Sequence, residues 1–96
     1  MMIKDLRDGM KRVSIEAKVA EKGEPREVVS RMKNETYNVA TAIIADETGT
    51  IKLTLWNEQI GQVNVDDKVK IENGYVSSFR GELQLNVGKF GSLSVE

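Results

Sequence analysis

The sequence predicts an all-β domain: a small closed barrel of five strands, preceded by a short helical turn. Three observations carry that expectation. Five segments alternate apolar with polar residues or are dense in β-branched side chains: 13–20, 36–45, 50–56, 69–76 and 83–87. A long charged loop separates the first from the second, and a break separates the third from the fourth. Ninety-six residues supply one modest core and not two, and a sandwich usually needs about seven strands. The whole chain, 1–96, therefore reads as a single domain.

Met1 to Arg12 sets Ile3, Leu6 and Met10 at roughly helical spacing and breaks at Gly9, so it can plug one end of a sheet. Val13 to Ala20 alternates, with Val13, Ile15, Ala17 and Val19 inward. Glu21 to Glu35 holds the only Pro and eight charged residues. It reads as a long loop, with the end of the first strand carried through Val28 and Val29. Thr36 to Ala45 puts Tyr37, Val39, Thr41 and Ile43 on one face and Asn38, Ala40, Ala42 and Ile44 on the other. Neither set is polar, so the pattern does not choose an inward face.

Asp46 to Gly49 closes a hairpin, because Asp46 can bond to the turn backbone and Gly49 can take positive φ. In the strand that follows, Ile51, Leu53 and Leu55 point inward, while Thr50, Lys52, Thr54 and Trp56 point outward. Asn57 to Val65 is too short for a helix stable on its own and reads as a turn or single helical turn. Val69 to Glu72 is the fourth strand, meeting a bulge at Asn73-Gly74 before Tyr75 and Val76. Ser77 to Gly81 reads as a turn, Leu83 to Val87 as the fifth strand, and the rest from Gly88 as a short tail.

Composition excludes several chemistries. There is no Cys and no His, so disulfides, thiolate metal sites and the commonest general base are unavailable. No Gly-rich phosphate loop follows a strand, and no motif places an acid pair. The expectation is a protein that is not an enzyme and carries no cofactor or metal. The run Ala42 to Ala45 is too short to span a membrane, and residues 1–9 are charged rather than signal-like. A soluble, cytoplasmic monomer is expected. Net charge is −1, so a polyanion partner would need locally gathered cations or stacking.

Five strands with this spacing point to the OB-fold, whose binding face centres on the second and third strands. Specific runs then bear a resemblance. They are Asp46-Glu47-Thr48-Gly49, Ile51-Lys52-Leu53-Thr54-Leu55-Trp56, Lys70-Ile71-Glu72-Asn73 and Phe79-Arg80-Gly81-Glu82-Leu83-Gln84-Leu85-Asn86. Asp5-Leu6 and Gly9-Met10 before the Val13 strand add weakly to them. Together they make the stretch from Ala42 to Val87 resemble the archaeal single-OB-fold, single-stranded-DNA-binding proteins and their replication protein A relatives. The resemblance implies binding of single-stranded DNA, in replication, repair or recombination, by stacking bases on three aromatics. The matching positions are Trp56, Tyr75 and Phe79. Relatives often have Trp where this chain has Tyr75, a smaller plane that implies weaker binding. Relatives also often continue into a disordered tail that recruits partners. This sequence stops at Glu96, which leaves tail docking open, with replication or repair proteins as candidate partners.

Chemistry gives the same site with its alternatives. Trp56 outward is either a rim residue or a ligand contact, and Tyr75 beside a bulge either caps the core or stacks. Phe79 in a turn buries little. All three beside one sheet face favour a stacking platform, since every base has a π-face and each stacked base is worth about 1–3 kcal/mol. Lys52, Arg80, Arg31, Lys33 and Lys89 are candidate phosphate contacts. Gln84 and Asn86 are candidate base contacts or ordinary polar surface. Tyr37 reads as core or ligand, and Phe90 as core or end-packing. Two rivals remain at this point: an OB module that docks proteins through its aromatics, and an RNA binder, since stacking does not separate RNA from DNA.

Overall fold

Alternation along Ile51 to Trp56 decides where the core lies. In the computed structural model, which describes residues 2–96 apart from the side chains of 88–90, Ile51, Leu53 and Leu55 are buried and Trp56 is exposed. They belong to β4 (Gly49–Trp56). The other strands are β1 (Val13–Lys22), β2 (Arg26–Ser30), β3 (Glu35–Asp46), β5 (Lys68–Phe79) and β6 (Glu82–Val95). A 3-10 turn at Ile3–Asp5 and the short helix α1 (Glu58–Gln62) complete the described residues.

The sheet order is β1-β5-β6-β4-β3-β2, and β1 also pairs with β3, which closes the barrel. All pairings are antiparallel except β4 with β6, where Lys52, Leu53 and Thr54 face Gln84, Leu85 and Asn86. Closure requires β1 to change partners. It pairs with β5 from Val13 to Lys18 and with β3 from Lys18 to Lys22, and the register slips between Val19 and Glu21. A bulge bends a strand in this way. Just beyond it, Gly23 N–H donates to the Thr41 carbonyl at 2.8 Å, and a Cβ at Gly23 would sit 2.8 Å from the same oxygen. Only glycine lets the chain cross there.

The inward face of β3 is the one carrying Ala40, Ala42 and Ile44, all buried. Its neighbours explain the choice, because Ala40, Ala42 and Ile44 pair with Leu55, Leu53 and Ile51. The N-terminal turn plugs one end of the barrel with Ile3 and Leu6, while Ile60 and Val63 of the α1 region join the core from beyond Trp56.

Three segments differ from the sequence expectation. The loop 21–35 contains the last residues of β1 and a separate strand, β2, which forms a hairpin with β3 through Arg26↔Val39 to Ser30↔Glu35. The described residues thus hold six strands, the sixth being this edge hairpin. The expected tail is also strand: past Gly88, β6 continues and pairs Ser92, Leu93, Ser94 and Val95 with Glu72, Ile71, Lys70 and Val69. Finally, β5 runs to Phe79, and the turn is only Arg80-Gly81, both at positive φ (53° and 82°), as a tight two-residue hairpin requires. The bulge at Asn73-Gly74 is present, with Asn73 at φ 56° and a register slip between Glu72 and Gly74.

The β3–β4 turn relies on Asp46 more than on Gly49, whose φ of 159° is close to extended. The Asp46 carboxylate accepts from Thr48 N–H at 2.6 Å, from the Thr48 hydroxyl at 2.5 Å and from Ile3 N–H at 2.8 Å. One side chain closes the turn and fastens the N-terminal plug. Partial burial pushes its carboxyl up, but hydrogen bonds from Thr48, Ile3 and Gly49 outweigh this and hold it below the usual value. Asp46→Ala is expected to lose about 1–2 kcal/mol of stability at neutral pH. A group with a lowered folded pKa contributes fully above its unfolded value, about 3.9, and loses that contribution as pH falls through the folded value. The gap between parent and variant melting temperatures should therefore narrow as pH drops below about 4; a constant gap would show that the charge plays no part.

Candidate nucleic-acid interface

The outer face of β3, β4, β5 and β6 collects the residues of interest, because register partners share a face. Thr54 faces Asn86, and Asn86 faces Tyr75; Lys52 faces Gln84, and Gln84 faces Ser77. On this surface Trp56 is 39% exposed, Tyr75 43% and Phe79 59%. From the strand spacing, Trp56 lies two strands, about 10 Å, across from the line of Tyr75 and Phe79, which are about 13 Å apart along β5. The three rings describe a diagonal track with Thr54, Ser77 and Gln84 in its middle.

Each ring has a local reason for its place. Trp56 ends β4, and its N–H is accepted by Gln59 Oε1 at 3.1 Å, which ties the strand end to α1. Asn57 reinforces that corner: its N–H donates to the Asn38 carbonyl at 2.8 Å, and its Oδ1 accepts from Asn38 N–H at 2.9 Å. Tyr75 follows the bulge, which sets it on the outer face opposite Asn86. Phe79 is the last residue of β5, and the Arg80 guanidinium lies 5.2 Å from its ring centroid, within cation–π range.

The cations are distributed unevenly. Arg31 and Lys33 are exposed in the β2–β3 turn, and Arg80 is exposed beside Phe79. Lys52 sits in the middle of the face but forms an ion pair with Glu82, so part of its charge is already answered. Asn86 is not open polar surface. It is 8% exposed, and its amide nitrogen donates to the Ser77 hydroxyl at 3.1 Å. Cross-strand packing leaves it a structural hydrogen bond rather than a free edge, while Gln84 remains half-buried on the same face. Lys89 and Phe90 lie outside the residues whose side chains are described. Among the described residues no acidic cluster could hold a metal ion.

Comparison with known proteins gives the same picture of the fold. A family model for single-stranded DNA binding protein Ssb-like, OB fold, matches residues 8–95. The chain belongs to this family. It is 38% identical over 84 residues to the single-stranded DNA binding protein Ssb of Saccharolobus solfataricus, covering 88% of this chain and 55% of that protein. It is 37% identical over 92 residues to replication factor A of Methanothermobacter thermautotrophicus, covering 90% of this chain and 11% of that protein. The chain thus spans about half the length of the first relative and a small part of the second. Among solved structures, the OB domain of a Thermoplasma acidophilum protein superposes with TM-score 0.84 at 26% identity, covering all of this chain and 85% of that one.

Within this Ssb-like barrel the structure adds Arg26 to the candidate face and places Tyr37, which the sequence leaves open between core and ligand, beside Trp56. Arg26 of β2 is exposed and pairs with Val39, itself the partner of Trp56, so it lies on the same face two strands from the indole. Tyr37 meets Trp56 edge-on, with ring centroids 6.2 Å apart and planes at 85°. Its hydroxyl donates to the Glu35 carboxylate. That bond, desolvation and the Glu35 charge raise the phenol above its ordinary pKa. The signal for Arg26 was the β-branched pair Val28-Val29, which marks a strand but not its partner. For Tyr37 the sequence offers core or ligand, and only the register of β3 with β4 brings it to Trp56.

A groove of about 330 Å³ opens at the Phe79 end of the face, lined by Ile43, Thr50, Lys52, Glu82 and Leu83 with Ile3 beneath. A larger one, about 600 Å³, lies along the outside of β1 and contains none of the aromatics. Its charges are answered locally, as in Lys18–Asp66 and Lys68–Glu16. We place the site on the aromatic face, because stacking needs exposed rings and not an enclosed volume.

Proposed function

We propose that this domain binds single-stranded DNA with little sequence preference, in DNA replication, repair or recombination. Bases stack on Trp56, Tyr75 and Phe79, and phosphates are met by Arg31, Lys33, Lys52, Arg80 and Arg26, with Lys89 a further candidate. The observation that carries this reading is three exposed aromatic rings on one outer sheet face, with cations at both ends of their track. The clustered core is aliphatic and does not need these three rings to fill it. The names of the relatives support the same ligand. The protein acts as a monomeric binding module without catalysis or cofactor, in the cytoplasm at the nucleoid, and its stacking face can also accept single-stranded RNA.

Anisotropy titrations with an oligo-dT and with a duplex of equal length test the mechanism. Bases in a duplex are already stacked and must be opened before they can lie on protein rings, so the single strand is expected to bind much more tightly. Equal affinity for the two would contradict it.

Lys52 supplies a sharper electrostatic test. Glu82 competes with phosphate for it, so Glu82→Gln is expected to tighten oligo-dT binding by up to about fivefold at low salt. The plot of log affinity against log salt should steepen by about 0.7, one further single-strand phosphate contact. Unchanged affinity and slope would mean that Lys52 does not touch the strand.

A further inference from the structure

The indole of Trp56 stands where β4 gives way to α1, with protein on only part of its surface. Such a ring is free to swing, and ordering it on binding costs affinity. One neighbour limits that freedom. Tyr37 lies on the same outer face, one diagonal step across β3, and packs at 85° to the indole with centroids 6.2 Å apart. This is the edge-to-face geometry that aromatic pairs prefer. The phenol is held in turn, because its hydroxyl donates to Glu35, two residues back on the same face of β3. A carboxylate beside a surface that receives a polyanion works against binding unless it holds something in place, and here it holds the phenol. Strand positions fix both ends of this arrangement: Val39 pairs with Trp56, and Tyr37 pairs with Val28.

We propose that Tyr37 is a positioning residue for Trp56, fixing the indole in the orientation that stacking requires, and that Glu35 positions Tyr37. The inference rests on the stacking reading above and goes beyond it by assigning a preorganised pair where the resemblance names one ring. Tyr37 acts through Trp56 and makes no base contact of its own.

Trp56 is the only tryptophan in the chain, so time-resolved fluorescence anisotropy reads its ring motion directly in the free protein. Tyr37→Leu is expected to increase local indole motion and to weaken oligo-dT binding by between about twofold and tenfold, the span an aromatic pair implies. In a Trp56→Ala background the same substitution should cost nothing further. Glu35→Ala leaves both rings in place, removes the acceptor of the Tyr37 hydroxyl and should raise indole motion; loss of its charge favours the strand, so motion and not affinity is its readout. This variant also serves if Tyr37→Leu fails to fold. Unchanged motion in these variants and unchanged affinity in Tyr37→Leu would overturn the proposal, as would an equal loss from Tyr37→Leu in the Trp56→Ala background, which would make Tyr37 a stacking residue itself. Trp56→Ala binding as tightly as the parent would overturn the stacking reading, and this inference with it.

Discussion

Leu53→Ala is expected to cost about 2–5 kcal/mol of folding stability. Leu53 is fully buried on β4. It faces Ala42 on one side and Leu85 on the other, in the layer where the parallel β4–β6 pair joins the rest of the barrel. Ala42 is too small to move into the space, so the cavity stays open and its lining loses contacts outright. For a domain of this size each kcal/mol shifts the melting temperature by about 4–8 °C, so a drop of about 10 °C or more should be seen in a thermal melt. A drop below about 3 °C would mean that Leu53 is not at the centre of the core. Binding per folded molecule should be nearly unchanged.

Trp56→Ala is expected to do the reverse. It should weaken oligo-dT binding by about 1–3 kcal/mol, roughly five- to 150-fold, while moving the melting temperature little. The residue lies three positions from Leu53 on the same strand but on the other face, and nearly two-fifths of its surface is exposed. Its losses in the fold are the contact with Tyr37 and cover over its partner Val39, both on the outer face. Phe79→Ala should behave in the same way, because its ring is the most exposed of the three. Tyr75→Ala belongs with them, since its pairing with Asn86 fixes it on the outer face. Melting curves and oligo-dT titrations on the purified variants check all three. If Trp56→Ala melts far below the parent and binds as tightly per folded molecule, the indole is a packing residue and the platform is drawn wrongly.

These two neighbours show what could be read from the chain and what could not. The alternation of Ile51, Leu53 and Leu55 with Thr50, Lys52, Thr54 and Trp56 is a local signal, strong because one face is wholly buried. It separated core from surface on β4 without any structure. Ile3 and Leu6 likewise announced a plug by their spacing. The edge strand β2 reads as loop in the sequence because it buries almost nothing: Arg26 to Val29 are all exposed, so no apolar alternation marks it. The second half of β6 reads as tail because two glycines dilute its pattern and its partner lies across the bulge at Asn73-Gly74. At the site, Trp56, Tyr75, Phe79 and Arg80 were legible as exposed aromatics with a cation. The Lys52–Glu82 pair, the Asn86–Ser77 bond and the Tyr37–Trp56 contact were not. Each joins residues on different strands, so each depends on register, which no single stretch of sequence encodes.

The intrinsic fluorescence of Trp56 tests the central claim most directly, because its only reporter is the ring that is proposed to stack. Parent protein is titrated with oligo-dT, with oligo-rU and with duplex DNA of equal length at one salt concentration. Stacking predicts saturable quenching with oligo-dT and with oligo-rU, and little change with duplex over the same range. Duplex DNA binding as tightly as oligo-dT, or oligo-dT binding by anisotropy with no change in indole emission, would contradict it.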